Sequence, residues 1–183
     1  MRARFLIVFL LAMMAGGGAQ AGQASDTRLD QLFGALARAG PGEWQVIEQE
    51  IRGIWAESGS ASLDLLLARG SQALEDGDAE AAIEHFTALI DHAPDFAAAW
   101  NGRATAYFRA GLYGPALADI AQVLTLEPRH FGALTGLAVI LEESGQTEKA
   151  LAAYREVLRL NPNRTNVLEA IAALERGRGQ FDL

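Results

Sequence analysis

An all-α fold, a solenoid of antiparallel helix pairs, is predicted by three observations. Pro94, Pro128 and Pro162 stand 34 residues apart, and Gly77, Gly111 and Gly145 repeat at the same interval. Ala82, Ala116 and Ala150 keep that step, as do Leu66, Trp100 and Leu134, and then Phe86, Ile120 and Tyr154. A period of about 20–50 residues marks stacked supersecondary units. Such a stack buries a shared core and leaves one long face free, so the architecture argues for binding.

The elements follow in chain order. Arg2 and Arg4 form a basic start, Phe5 to Ala15 is an uncharged apolar run, and Ala19-Gln20-Ala21 has the small residues a signal peptidase reads. Residues 1–21 are therefore expected to be a secretory signal peptide, removed after Ala21, which makes the chain periplasmic or secreted. The alternative, an uncleaved anchor, meets a run that is short for a span of about 20 residues and that ends in Gly16-Gly17-Gly18. The lack of cysteine excludes a lipidated start.

Residues 22–61 read as an N-terminal helical hairpin. Residues 22–28 are small and polar, a flexible exit in which Asp26 or Thr27 caps the first helix. Leu29, Leu32, Phe33 and Leu36 then recur at helical spacing, until Gly40-Pro41-Gly42 breaks the pattern. Trp44, Ile47, Ile51, Ile54 and Trp55 form the stripe of a second helix, ended by Ser58-Gly59-Ser60. The hairpin lacks the alanine and proline marks of the repeat. It is expected to close one end of the stack as an atypical terminal unit.

Three full units occupy 62–95, 96–129 and 130–163. In the middle one Trp100, Ala104 and Tyr107 share a face of the first helix. Gly111 stops that helix, since glycine accepts the left-handed geometry of a helix C-terminus. Ala116, Ile120 and Val123 form the facing stripe of the second helix, and Pro128 ends it. Ala104 and Ala116 let the two helices approach closely. In the last segment, 164–183, Val167, Leu168, Ile171 and Leu174 predict a capping helix over Thr165 to Arg176, followed by a frayed tail from Gly177.

Each unit resembles a tetratricopeptide repeat: a large residue (Leu66, Trp100, Leu134), a small one (Gly70, Ala104, Ala138), then the turn glycine, the alanine, a large apolar residue and the closing proline. The resemblance covers about 62–163 and implies a right-handed solenoid of antiparallel helix pairs that binds protein. Departures from the pattern are Ala73, where a tyrosine is expected, and Arg69 and Arg103 at an expected leucine. The runs "PDFAAAWNGRATAYF" and "LEPRHFGALTGL" after a signal peptide also resemble small secreted repeat proteins of Gram-negative bacteria.

With 183 residues, half of them hydrophobic, the chain can bury one core without disulfides. The absence of cysteine rules out thiolate metal sites and a cysteine nucleophile. Loss of Arg2 and Arg4 with the signal takes the formal charge from −8 to −10. An acidic surface disfavours nucleic acid and anionic membranes and suits a basic partner.

Arg69 and Arg103 are expected near the core face, Arg103 paired with Asp119 across the helix pair, because a buried guanidinium needs a partner. His85 and His92 are two turns apart and cannot share one metal ion; with His130 they read as surface or packing residues. Glu142 and Glu143 read as a solvated face. No cofactor, metal site or catalytic constellation emerges, and the chain reads as a non-enzyme.

What remains is the free face of the first helices. Asp64, Leu67, Ser71 and Leu74 point there in the first unit, Asn101, Thr105, Phe108 and Arg109 in the second, and Thr135, Val139 and Glu142 in the third. Helices packed about 8–10 Å apart make a groove of about 25 Å, room for six to eight residues of extended peptide at about 3.3 Å each. Phe108 and Arg109 are the expected anchors. In the resembled family, basic and asparagine side chains clamp a terminal carboxylate; here Asp64, Glu75, Glu142 and Glu143 oppose an anion. A protein or peptide partner is thus expected. The alternatives are self-association through the stack ends or Trp44 and Trp55, and a cell-wall-acting enzyme or sugar-binding protein.

Overall fold

A computed structural model describes the backbone of residues 17–181 and the side chains of 25–177. Residues 1–16, with most of the expected signal peptide, and residues 182–183 lie outside the described residues. Every regular element among the described residues is an α-helix: α1 Gly17–Leu36, α2 Trp44–Ala56, α3 Ala61–Glu75, α4 Ala79–His92, α5 Ala97–Arg109, α6 Tyr113–Leu126, α7 Phe131–Glu143, α8 Thr147–Leu160 and α9 Thr165–Phe181.

The repeat marks act as local chemistry predicts. Gly77, Gly111 and Gly145 have φ of +80°, +73° and +70°. Each closes its helix with two reverse bonds, as in Gly111 N–H to Phe108 O (2.9 Å) and Leu112 N–H to Tyr107 O (2.8 Å). α4, α6 and α8 each end two residues before a repeat proline. Ala82, Ala116 and Ala150 are wholly buried between paired helices. Phe86 fills the space left by two glycines: a Cβ on Gly70 or Gly102 would lie 2.6 or 2.5 Å from its ring. α3 packs on α5 and α5 on α7, while the second helices of successive units make no comparable contact. The stack therefore curves toward α3, α5 and α7, which line its concave side.

Three local expectations change. Residues 22–28 are part of α1, so Asp26 and Thr27 lie inside a helix and not at its start; alanine and glutamine there are good helix formers. α9 continues through Gly177 to Phe181, because no proline or left-handed glycine stops it. Arg69 is exposed. The residue matching Asp119 in its unit is His85, which offers no carboxylate to draw a guanidinium inward.

The largest change concerns the hairpin. It does not extend the stack beyond α3. Leu29, Leu32, Phe33, Leu36 and Ile51, with Trp44, Ile47, Ile54 and Trp55, form one core with Phe131, Leu134 and Leu160 of the third unit. α2 thus lies across the concave side, touching α5, and the outer face of α3 keeps Leu65 exposed.

Candidate functional site

Two adjoining depressions run along the concave side. The first, of about 160 Å³, lies between α5 and α7. Asn101, Thr105, Phe108, Thr135 and Val139 form its walls, and Ala104, Ile120, Gly136 and Ile140 its floor. The second, of about 330 Å³, lies nearer the starts of α5 and α7. Leu67, Ser71 and Leu74 bound it on the α3 side, His130 and Phe131 on the α7 side, and Arg52, Trp55 and Ala56 of α2 form its remaining wall. Asn101, Thr105 and Gly132 border both.

Eight of the expected groove residues are therefore brought together: Leu67, Ser71, Leu74, Asn101, Thr105, Phe108, Thr135 and Val139. Arg109 is not in the lining. It reaches sideways and donates to the Leu74 carbonyl near the end of α3, which also accepts the Gly77 N–H at 3.2 Å. Asp64 also leaves the groove, accepting from the N–H (3.1 Å) and hydroxyl of Ser58, and those bonds hold its carboxyl below the usual carboxylate range. Glu142 and Glu143 brace helices rather than face water alone: Glu142 accepts from the Tyr154 hydroxyl at 2.7 Å and Glu143 from the Tyr113 hydroxyl. Burial and the Glu142 carboxylate raise the Tyr154 phenol. Tyr113 also stacks on Phe108, with ring centres 5.8 Å apart.

The polar character of the open depression is limited. Thr105 donates its hydroxyl proton to the Asn101 carbonyl (2.9 Å), and Thr135 donates to the Phe131 carbonyl (2.7 Å). The Asn101 carboxamide has no hydrogen-bond partner among the described residues and is free to pair with a peptide backbone. The nearby arginines are committed. Arg52 bonds Glu48 at 3.2 Å. Arg103 makes a two-point pair with Asp119, at 2.7 and 2.9 Å.

Sequence reasoning missed the residues that join the hairpin to the third unit. His130 is buried, stacks on Trp55 with ring centres 4.3 Å apart, and accepts the Ala133 N–H on Nδ1 at 3.0 Å as the cap of α7. Burial lowers its pKa to about 4, so it is neutral at pH 7. Trp55 donates to Glu127 (3.3 Å), Arg129 pairs with Asp30 (2.7 Å), and Asn161 donates to the buried Glu48 (3.0 Å). Trp44 and Trp55, expected in the alternative reading as contacts between copies, pack against the core that the hairpin shares with the third unit. Among the described residues no cluster of histidine and acid side chains could hold a metal ion, and no helix is long and apolar enough to cross a membrane.

Profiles of the tetratricopeptide repeat match residues 67–125 and 110–174, together more than half of the chain. A TPR repeat-containing protein of Rhizobium etli is 45% identical over 119 residues, a match spanning 64% of this chain and 58% of that relative. The first TPR of Spaghetti (RPAP3), bound to the HSP90 peptide SRMEEVD, superposes with a TM-score of 0.61 at 22% identity, over 64% of this chain and 93% of that one. An O-GlcNAc transferase of Thermobaculum terrenum superposes with a TM-score of 0.59 at 22% identity, over 64% of this chain and 23% of that one. At these identities the solved structures share the fold.

Proposed function

Because the chain belongs to the tetratricopeptide repeat family, we propose that it is a non-catalytic binding module whose concave groove, over the open halves of α5 and α7, holds a short segment of a protein partner. The observation that carries this reading is the depression of about 160 Å³ between α5 and α7, apolar in its floor and bordered by the one uncommitted carboxamide of Asn101. It has the size for one aliphatic side chain, with Asn101 reading the adjacent peptide group. Since α2 covers the starts of α5 and α7, the segment held is shorter than the six to eight residues the bare groove would take. A segment ending in acidic residues, like the peptide bound by the Spaghetti domain, fits poorly: Arg52, Arg103 and Arg109 are all engaged.

Phe108→Ala tests the reading. Peptides selected from a random library on the immobilised full chain are expected to share an aliphatic residue. Phe108→Ala should weaken them by about 2 kcal/mol or more, the effect of losing a central aromatic anchor, while circular dichroism stays unchanged. Equal binding by wild type and variant would move the interaction off the concave face.

The site of action belongs to the same proposal: export to the periplasm with removal of residues 1–21. Cleavage there would shorten α1 yet spare the hairpin core, whose first buried side chain among those described is Leu29. N-terminal sequencing from the native host is expected to begin at Gly22; a cytoplasmic protein that keeps its first residues would overturn the placement.

A further inference from the structure

The hairpin stands outside the repeat register, yet α2 fills half of the concave side. Its apolar stripe lays Ile51 and Trp55 against Phe131, and one carboxylate, Glu48, is carried fully inside. Around it stand two guanidinium groups, Arg52 at 3.2 Å and Arg164 at 3.5 Å, each 5.5 Å from the centre of the Phe131 ring. The latch is incomplete, because Nε and Nη1 of Arg164 are buried without a hydrogen-bond partner. The link to α3 turns at Gly59, with φ of +76° and nothing within 4 Å of a would-be Cβ, and Ser58 beside it is held by its bonds to Asp64.

We propose that α2 is a displaceable built-in ligand of the groove, and that an amphipathic helix bearing the same aromatic–aliphatic stripe and one carboxylate takes its place. The carboxylate is required by charge: Arg52 leaves with α2, but Arg164 stays behind as a buried guanidinium that loses its counter-ion when Glu48 goes. An acceptor placed to reach Nε and Nη1 of Arg164 would complete bonds that α2 leaves unmade, which gives a partner helix an advantage over the covering one. A tethered helix competes at an effective concentration in the millimolar range, so the resting chain keeps this half closed. The inference rests on the concave face being the binding surface, and adds its regulation.

The probe is a fluorescent synthetic peptide of residues 44–57, added to the full chain. Trp55→Ala should raise hydrogen exchange in α2 while α4 to α8 stay protected, and should bind the probe at least tenfold more tightly than wild type. Glu48→Gln, which keeps volume and removes charge, should shift both readouts in the same direction by less. The chain has no cysteine, so Asp30→Cys with Arg129→Cys, joined by a short bismaleimide, locks the hairpin and should abolish probe binding. The proposal is overturned if α2 in both opened variants stays as protected as α6, or if the locked chain binds the probe like wild type. Release of α2 without probe binding also overturns it. In that case selected peptides that still depend on Phe108 would leave the open-half reading standing, and their failure too would end both.

Discussion

Ala116→Arg is expected to collapse the repeat stack at temperatures where Ala118→Arg leaves it folded. Ala116 has no exposed surface and sits in one core with Ala104, Ile120 and Val123, whereas Ala118, two residues along α6, is exposed. An arginine at 116 brings a buried charge with no counter-ion, worth about 3–5 kcal/mol, and a volume the contact cannot take, worth about 1–3 kcal/mol more. Domain stabilities are about 5–15 kcal/mol, so most of the margin goes. At 118 the guanidinium stays in water and the effect should fall within about 0.5 kcal/mol. Thermal melts of both variants decide it. Equal melting temperatures would mean that α5 and α6 do not meet at Ala104 and Ala116.

That contrast was legible in the sequence because it depends on local rules stated three times over. A left-handed glycine, a small residue at a helix contact and a proline after a helix each have one structural meaning, and the 34-residue step aligns them. Thr105 and Thr135 could be placed in the groove for the same reason: each lies beside a residue whose burial the repeat fixes. The seat of the hairpin was not legible. The stripe of Trp44, Ile51 and Trp55 says that one face of α2 is buried, and both the end of the stack and its concave side offered a surface. The deciding signals were departures from the repeat. Phe131 stands where the middle unit has Ala97, an excess of apolar surface at the start of α7 that requires cover. Asn161 stands where other units have Ala93 and Glu127, and Glu48 interrupts an apolar stripe. A polar residue in each of two buried places points to the bond they make with each other. The sideways reach of Arg109 left no such mark, because a backbone carbonyl at a helix end carries no sequence signature.

Asp119→Ala should be among the most destabilising single changes in the chain, and it should be rescued by a second change that adds no polar contact. Arg103 and Asp119 are buried together, with side-chain exposures of 15% and 6%. The guanidinium also donates to Thr87 at 3.2 Å and lies 4.9 Å from the Trp100 ring. The Asp119 carboxylate raises the Arg103 pKa against the opposing pull of burial, and when the carboxylate is lost the guanidinium still keeps its proton, since arginine is not deprotonated in proteins. Breaking such a pair from one side costs about 3–5 kcal/mol, because the survivor is a buried charge without compensation. The third unit shows the apolar solution at the same two positions, Leu137 and Ala153. Arg103→Leu combined with Asp119→Ala imports it and should return stability to within about 1 kcal/mol of wild type, since replacing a whole buried pair by apolar groups is often neutral. Denaturant titrations of the wild type, Asp119→Ala and the double variant test both halves. A loss below about 1 kcal/mol for Asp119→Ala would mean that water reaches Arg103. A double variant as unstable as the single one would mean that the pair sets the approach of α5 and α6, a task the leucine of the third unit cannot perform in the second.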